Sequence, residues 1–252
     1  MRVVTNERRI KSKRRIAQYL FVISLVILIG GLIVSNFGPK TMEFAIIAPC
    51  LVLPIGFATT LLSVRMTNQF VRLPHPDEAI GEGLKGINRR SILYNYILQP
   101  NHVLVAPQGV FSLTTRWQET GFEVDGEKWY NAKGRGPLAP IFLFLKQERL
   151  GDPFKQARQE AESIQAIVDE ALPSAKIVVR PAVVFTSNKA KLEVDEPALP
   201  VVYADPKKRP SLKALLKDEK KKDEISLDDE QIAALDKAFR GNQRDLVENE
   251  TA

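Results

Sequence analysis

Two runs without a single charged side chain, Ile16 to Pro39 and Phe44 to Val64, lie almost end to end, with only Lys40 and Glu43 as charges between them. A bilayer core takes about 20 predominantly apolar residues in a helix, because only a helix satisfies its own backbone polar groups where there is no water. Each run is long enough. A secretory signal would carry a shorter apolar region followed by a small-residue cleavage site, so the expectation is a transmembrane hairpin, with spans at about 16–37 and 43–65. No ionisable residue lies inside either run, and such residues are the usual mark of an ion or substrate path. Transport is therefore disfavoured.

Charge orients the hairpin. Arg2, Arg8, Arg9, Lys11, Lys13, Arg14 and Arg15 precede the first run, Arg65 and Arg72 follow the second, and the connection holds only Lys40. Lys and Arg beside a span are retained on the cytoplasmic side, so both termini and whatever follows the second span are expected there. Residues 1–15 read as a basic cytoplasmic segment in which Arg8, Arg9, Lys11, Lys13, Arg14 and Arg15 contact anionic headgroups, each worth roughly 1 kcal/mol near the surface. That segment carries a net charge of +6, equal to the formal charge of the whole chain. From Leu73 onward, 26 Lys/Arg face 28 Asp/Glu, a net of −2. A nucleic-acid binder shows its basic surface on the binding domain, so membrane lipids and a protein partner are expected ahead of nucleic acid. Cys50 is the single cysteine and excludes an intramolecular disulfide. Gly30-Gly31 would let helix backbones approach closely, which leaves a structural oligomerisation role open.

Beyond the spans, Pro76 opens a helix with Asp77 and Glu78 in its first turn, where negative charge suits the dipole, and Ile80, Leu84 and Ile87 share one face. Residues 91–98, 102–106 and 110–115 read as strands. Gly121–Val124 and Lys128–Tyr130 flank Asp125-Gly126, which favours a tight hairpin, so about four consecutive antiparallel strands are expected. Residues 131–140 read as a loop and Ile141–Leu145 as a short apolar patch. A helix follows over about 153–172, with Phe154, Ala157, Ala161, Ile164, Val168 and Leu172 as its apolar stripe. Ile177–Thr186 reads as a buried strand, Leu199–Ala204 as another, and Ser211 as the head of a helix. Lys217–Glu224 reads as a solvated run. Ser226 with Asp229 resembles a capping box before a final amphipathic helix ending near Gly241. The tight spacing Gly81, Gly83, Gly86 lacks a preceding strand, so it is no nucleotide loop. His75 and His102 are too few and too far apart for a metal centre.

This order resembles a restriction-endonuclease-like core, an α+β fold with a mixed sheet sandwiched by helices, here preceded by the two-helix hairpin. Within it the chain resembles the nuclease-related domain (NERD) family over residues 73–205. Asp77 with Ile80, Leu84 and Ile87 is similar to the family's first helix, residues 101–111 to its central hairpin, Pro153 with Gln156 to its helix signature, and residues 181–186 to the strand after it. The resemblance implies a divalent metal between a strand Asp and the Glu of a Glu-x-Lys motif. At those positions stand Asn101, Thr114 and Arg116. An amide and a hydroxyl lack the charge that holds a dication, and a guanidinium stays protonated and cannot act as a base. The resemblance then implies a pseudoenzyme that serves as an interaction or scaffolding module, with no metal and no cofactor. Its alternative is a metal-dependent nuclease whose acids have moved, using Mg²⁺ with the retained Asp77, Gln156 and Arg116. Glu119, Glu123, Asp125 and Glu127 crowd the next hairpin, but Asp125-Gly126 is its turn, and a solvated acidic tip is expected. Residues 206–252 read as a charged linker and the C-terminal helix.

Overall fold

The computed structural model describes residues 1–39, 41–131, 150–221, 226–241 and 247–250; most of the loop expected at 131–140, the patch at 141–145 and residues 222–224 of the charged run lie outside them. A short strand β1 (Arg2–Thr5) leads into a 31-residue helix α1 (Glu7–Phe37), and α2 (Met42–Phe70) returns alongside it. Both helices are long and apolar enough to cross a membrane. Large apolar side chains such as Phe21, Leu32 and Leu53 are exposed along them. The helices meet at small residues: a Cβ on Gly31 would fall 2.2 Å from Val52 Cγ1, and one on Gly56 2.7 Å from Leu28 Cδ2. Gly31 is thus spent within the hairpin, whereas Gly30 has open space.

A seven-stranded mixed sheet follows, ordered β10-β1-β2-β3-β4-β7-β9. Its members are β1, β2 (Ile92–Asn95), β3 (His102–Ala106), β4 (Gly109–Arg116), β7 (Val179–Phe185), β9 (Val201–Tyr203) and β10 (Val247–Glu250). β2, β3 and β4 form an antiparallel meander, β4 pairs parallel with β7, and β7 parallel with β9. β1 pairs parallel with β2, so a strand preceding the hairpin and a strand following it are hydrogen-bonded neighbours. A second sheet, β6-β5-β8, contains β5 (Gly121–Asp125), β6 (Lys128–Asn131) and β8 (Lys191–Asp195). The expected run of four antiparallel strands is therefore split: three in the large sheet, then a separate hairpin.

Period-two alternation sends Ile92, Tyr94, Val103 and Val105 to one face of the large sheet, where α4 (Pro153–Ala171) adds Ile164 and Val168, and α6 (Asp229–Arg240) adds Ile232, Leu235 and Phe239. Leu93, Leu104, Phe111 and Leu113 point to the other face, against Ile80 and Leu84 of α3 (Pro76–Gly83) and its flank and Leu212 and Leu216 of α5 (Leu212–Lys221). The result is a mixed sheet flanked by helices on both faces. Phe154 and Ala157 of α4 also close a third cluster with Phe122, Val124 and Phe185, which joins the two sheets.

Three local readings shift. The 91–98 run is a strand only over 92–95, because Tyr96 takes φ 59° and turns the chain. The first soluble helix ends at Gly83, short of Ile87; a Cβ on Gly83 would lie 2.0 Å from the Ala204 carbonyl oxygen, so glycine admits the close approach of that helix to the chain after β9. The last helix is capped by Asp228 with Gln231 rather than by Ser226 with Asp229, the box moving two residues along because Asp228 accepts from the Gln231 amide at 2.7 Å and the Gln231 side chain accepts from the Asp228 amide at 3.1 Å.

Candidate functional site

The register of β4 places alternate side chains on the side of α4. Val110 packs there, Ser112 is buried, and Thr114 and Arg116 continue the row. On α4, Gln156 and Glu160 are one turn apart, next to the buried stripe of Ala157, Ala161 and Ile164, so both reach the strand from the edge of the helix–sheet contact. The Thr114 hydroxyl donates to Glu160 Oε2 at 2.5 Å, Gln156 Nε2 donates to Glu160 Oε1 at 2.7 Å, and Arg116 Nη2 donates to Gln156 Oε1 at 2.9 Å. Arg116 Nη1 is held by the Thr115 carbonyl at 2.9 Å. Two strand positions and two helix positions thus close into one chain of hydrogen bonds.

Burial decides the electrostatics of this chain. Arg116 is 7% exposed, and desolvation lowers its pKa to about 10, against the opposing pull of the Glu160 and Asp152 carboxylates. It stays cationic at neutral pH. Asp152 caps α4 by accepting from the Lys155 amide at 2.9 Å.

Around this chain of bonds opens a cavity of about 480 Å³. Asn101, Arg116, Asp152, Gln156 and Glu160 line it, together with Trp117 and Gln118 after β4 and with Leu61, Arg65 and Gln69 of α2. It therefore lies where the second long helix reaches the domain. That junction is firmly held. The Arg9 guanidinium donates to the carbonyls of Tyr96 and Leu98 at 3.1 Å each, Arg14 donates to the Phe70 carbonyl at 2.9 Å, and Arg72 pairs with Glu119 at 2.8 Å while lying 5.0 Å from the Trp117 ring centroid. Ile10, Phe70 and Tyr96 are buried together beneath these contacts.

Of the cations expected at headgroups, Arg9 and Arg14 thus hold protein carbonyls, Lys11 pairs with Glu7 at 2.7 Å, and Arg8, Lys11 and Arg15 are exposed. Among the positions singled out by resemblance, Asn101, Arg116 and Gln156 meet at one cavity, and Thr114 joins their hydrogen-bond chain. Asp77 does not join them. It accepts from the Tyr96 hydroxyl at 3.4 Å, and burial raises its pKa.

Sequence reasoning missed Glu160, Asp152, Gln118, Trp117 and Arg65. The signal for Glu160 was present: an acid four residues after Gln156 and four before Ile164, at the margin of an apolar stripe, sits where a helix meets its sheet. Nothing in the sequence marked Gln118.

The polar groups of this arrangement are engaged with one another. A hard dication takes oxygen ligands, usually with one or two carboxylates. Here Thr114 spends its proton on Glu160, both Glu160 oxygens are engaged, and a buried cation stands beside them. Asp152 is eight positions from Glu160, about 12 Å of helical rise, too far for both to share one ion. Among the described residues, no group of three or more His, Cys, Asp or Glu could hold a metal ion. No family model, no curated protein and no solved structure matches the chain.

Proposed function

We propose that this protein is a membrane-anchored, cytoplasm-facing domain of restriction-endonuclease-like build, similar to nuclease-related domains, that binds rather than hydrolyses. The observation that carries this reading is the continuous chain Thr114–Glu160–Gln156–Arg116, which engages the degenerate nuclease positions Thr114 and Arg116 in hydrogen bonds among protein groups. The anchoring half is supported by two long apolar helices and by the pairing of β1 with β2, which brings both ends of the hairpin to one side. Basic residues flanking the spans favour the cytoplasm for that side. The near-neutral charge after the spans favours a protein partner over nucleic acid.

A second reading, a nuclease whose acids have moved onto α4, draws on Glu160 beside Thr114. One experiment separates the two. Full-length protein in micelles is incubated with supercoiled plasmid and Mg²⁺ or Mn²⁺, beside Glu160→Gln and Asp152→Asn. The expected result is no nicking above the variants; cleavage by the wild type that both substitutions abolish would overturn the non-hydrolytic reading. The chain should be tested whole, because β1 precedes the spans yet belongs to the large sheet.

A further inference from the structure

Strand direction decides which edge of the domain looks toward the hairpin. β1 leads into α1, and the pairings that link it to β2, β4, β7 and β9 leave all five strands running the same way. Their C-terminal ends therefore lie on the side from which α1 rises. Arg116, Phe185 and Tyr203 share one row of the register there. The contacts of α2 give the depth of that row. Trp117 and Thr186, just past two of the strand ends, line a cavity with Leu61, Arg65 and Gln69 of α2, and Ser187 lines a smaller one with Asn68 and Arg72. The uncharged run of α2 ends at Val64, and Asn68 is one turn further on, about 6 Å of helical rise. The headgroup layer adds about 5–8 Å to each side of a hydrocarbon core, so in the anchored state these strand ends stand at headgroup depth.

Two loops at this edge are fastened together. The chain leaves β9 at Ala204 and is back beside it by Ser211, where the Tyr203 amide donates to the Pro210 carbonyl at 2.9 Å and Ser211 bridges Tyr203. Residues 205–209 therefore project beyond the strand end. Lys208 ties the projection to the loop after β7: its ammonium donates to the carbonyls of Asn188 and, at 3.0 Å, Ala190, and lies 4.6 Å from the Tyr203 ring centroid. On either side of it Lys207 and Arg209 are exposed, and neither side chain has a hydrogen bond or ion pair among the described residues. Asp205 is spent on the turn, accepting from the Lys207 amide at 2.9 Å, and Lys189 shares Glu119 with Arg72. Residues 186–191 and 204–211 thus hold Lys189, Lys191, Lys207, Lys208 and Arg209 against the single acid Asp205. From Leu73 onward the chain as a whole is slightly acidic, so positive charge is concentrated on the edge that faces the bilayer.

We propose that Lys207 and Arg209 rest on anionic phospholipid headgroups, a second lipid contact far along the chain from the basic N-terminal segment. The held Lys208 keeps the tip in place, and its two neighbours supply the charge. The inference rests on the membrane-anchored reading and gives the anchored domain a definite face toward the lipid.

The full-length chain carrying Cys50→Ala and Asn188→Cys, the latter at an exposed loop position, is labelled with nitrobenzoxadiazole and placed in phosphatidylcholine vesicles with or without phosphatidylglycerol. Quenching by a headgroup spin-labelled lipid is then read. The ratio of quenched to unquenched label is expected to rise about twentyfold with phosphatidylglycerol, since each cation near an anionic surface is worth about fivefold. Lys207→Gln and Arg209→Gln should each lower that ratio about fivefold, and together they should abolish the response to phosphatidylglycerol. Lys220→Gln should leave it unchanged, because the neighbouring Glu219 pairs with Arg180 at the opposite end of β7. All three positions are exposed. Equal quenching with and without phosphatidylglycerol, or a response that survives the double substitution, would overturn the proposal. Alkaline carbonate extraction tests the anchoring separately: a released chain refutes the anchor, whereas a retained chain without a phosphatidylglycerol response refutes only the headgroup contact.

Discussion

Acidification should weaken this domain through a single imidazole. His102 is 1% exposed. One ring nitrogen, Nδ1, lies 2.9 Å from Asn95 Oδ1, an acceptor, and Asn95 Nδ2 donates to Thr5 Oγ1 at 3.3 Å. Nδ1 therefore carries the proton in the neutral ring, and Nε2 is buried without a partner among the described residues. The Tyr96 ring stands edge-on to it at 5.0 Å. A second proton would sit on Nε2 with nothing to receive it, and burial lowers the pKa from 6.5 to about 3. The unfolded chain binds that proton near pH 6.5 and the native chain does not, so stability is intact above pH 6.5 and falls as the pH drops from there toward 3. The slope is about 1.4 kcal/mol per pH unit, which makes the loss about 2 kcal/mol between pH 7.5 and 5. Asp77 works in the opposite sense, since its raised pKa means that the native chain binds protons more readily, and comparison with His102→Gln cancels it. Urea unfolding of the full chain in micelles can be followed by fluorescence, because both tryptophans, Trp117 and Trp129, lie in the domain. His102→Gln should start less stable at pH 7.5 and show a slope shallower by that amount. Equal slopes for wild type and variant would refute the argument that the buried ring is the titrating group.

Three further outcomes follow from packing and charge. Gly83→Ala forces a Cβ onto the Ala204 carbonyl oxygen, and overpacking against backbone should cost about 3 kcal/mol, read as a lowered Tm with the pH slope unchanged. Phe239→Ala removes a side chain 2% exposed whose ring meets Tyr94 edge-on at 5.3 Å; a loss of about 3–5 kcal/mol in urea unfolding is expected, and a loss below 1 kcal/mol would mean that α6 is not docked. Glu160→Ala strips the hydroxyl of Thr114 and the Gln156 amide of their acceptor beside buried Arg116, for about 2 kcal/mol, whereas Glu160→Gln, which keeps an acceptor oxygen, should lose less than half as much by the same measurement.

Where periodicity was long, the sequence was legible. The apolar stripe of α4 and the valine-rich β7 lie where their patterns put them, because an amphipathic helix and a buried strand announce themselves over many residues. Thr114 and Arg116 were singled out by resemblance alone, since the expected strand stopped at 115 and β4 runs one residue further to Arg116. Short elements were another matter. β1 has four residues ahead of a basic helix, and its place beside β2 depends on pairing across the whole hairpin, which no local pattern encodes. β8 does alternate, with Leu192 and Val194 turned against the third cluster and Lys191, Glu193 and Asp195 outward, but its parallel partner β5 lies some seventy positions earlier. Glu160 was hidden for a different reason: a carboxylate beside an apolar stripe has the same local appearance whether it faces solvent or a strand.

The pairing of β1 with β2 makes the two apolar helices an insertion between adjoining strands rather than a tail. In the proposed membrane-anchored state such a domain is held at two points, which restricts its swivelling about the membrane normal relative to a single tether. In that state a lateral strain on the helices would load the β1–β2 ladder, which lies one strand in from the β10 edge of the large sheet.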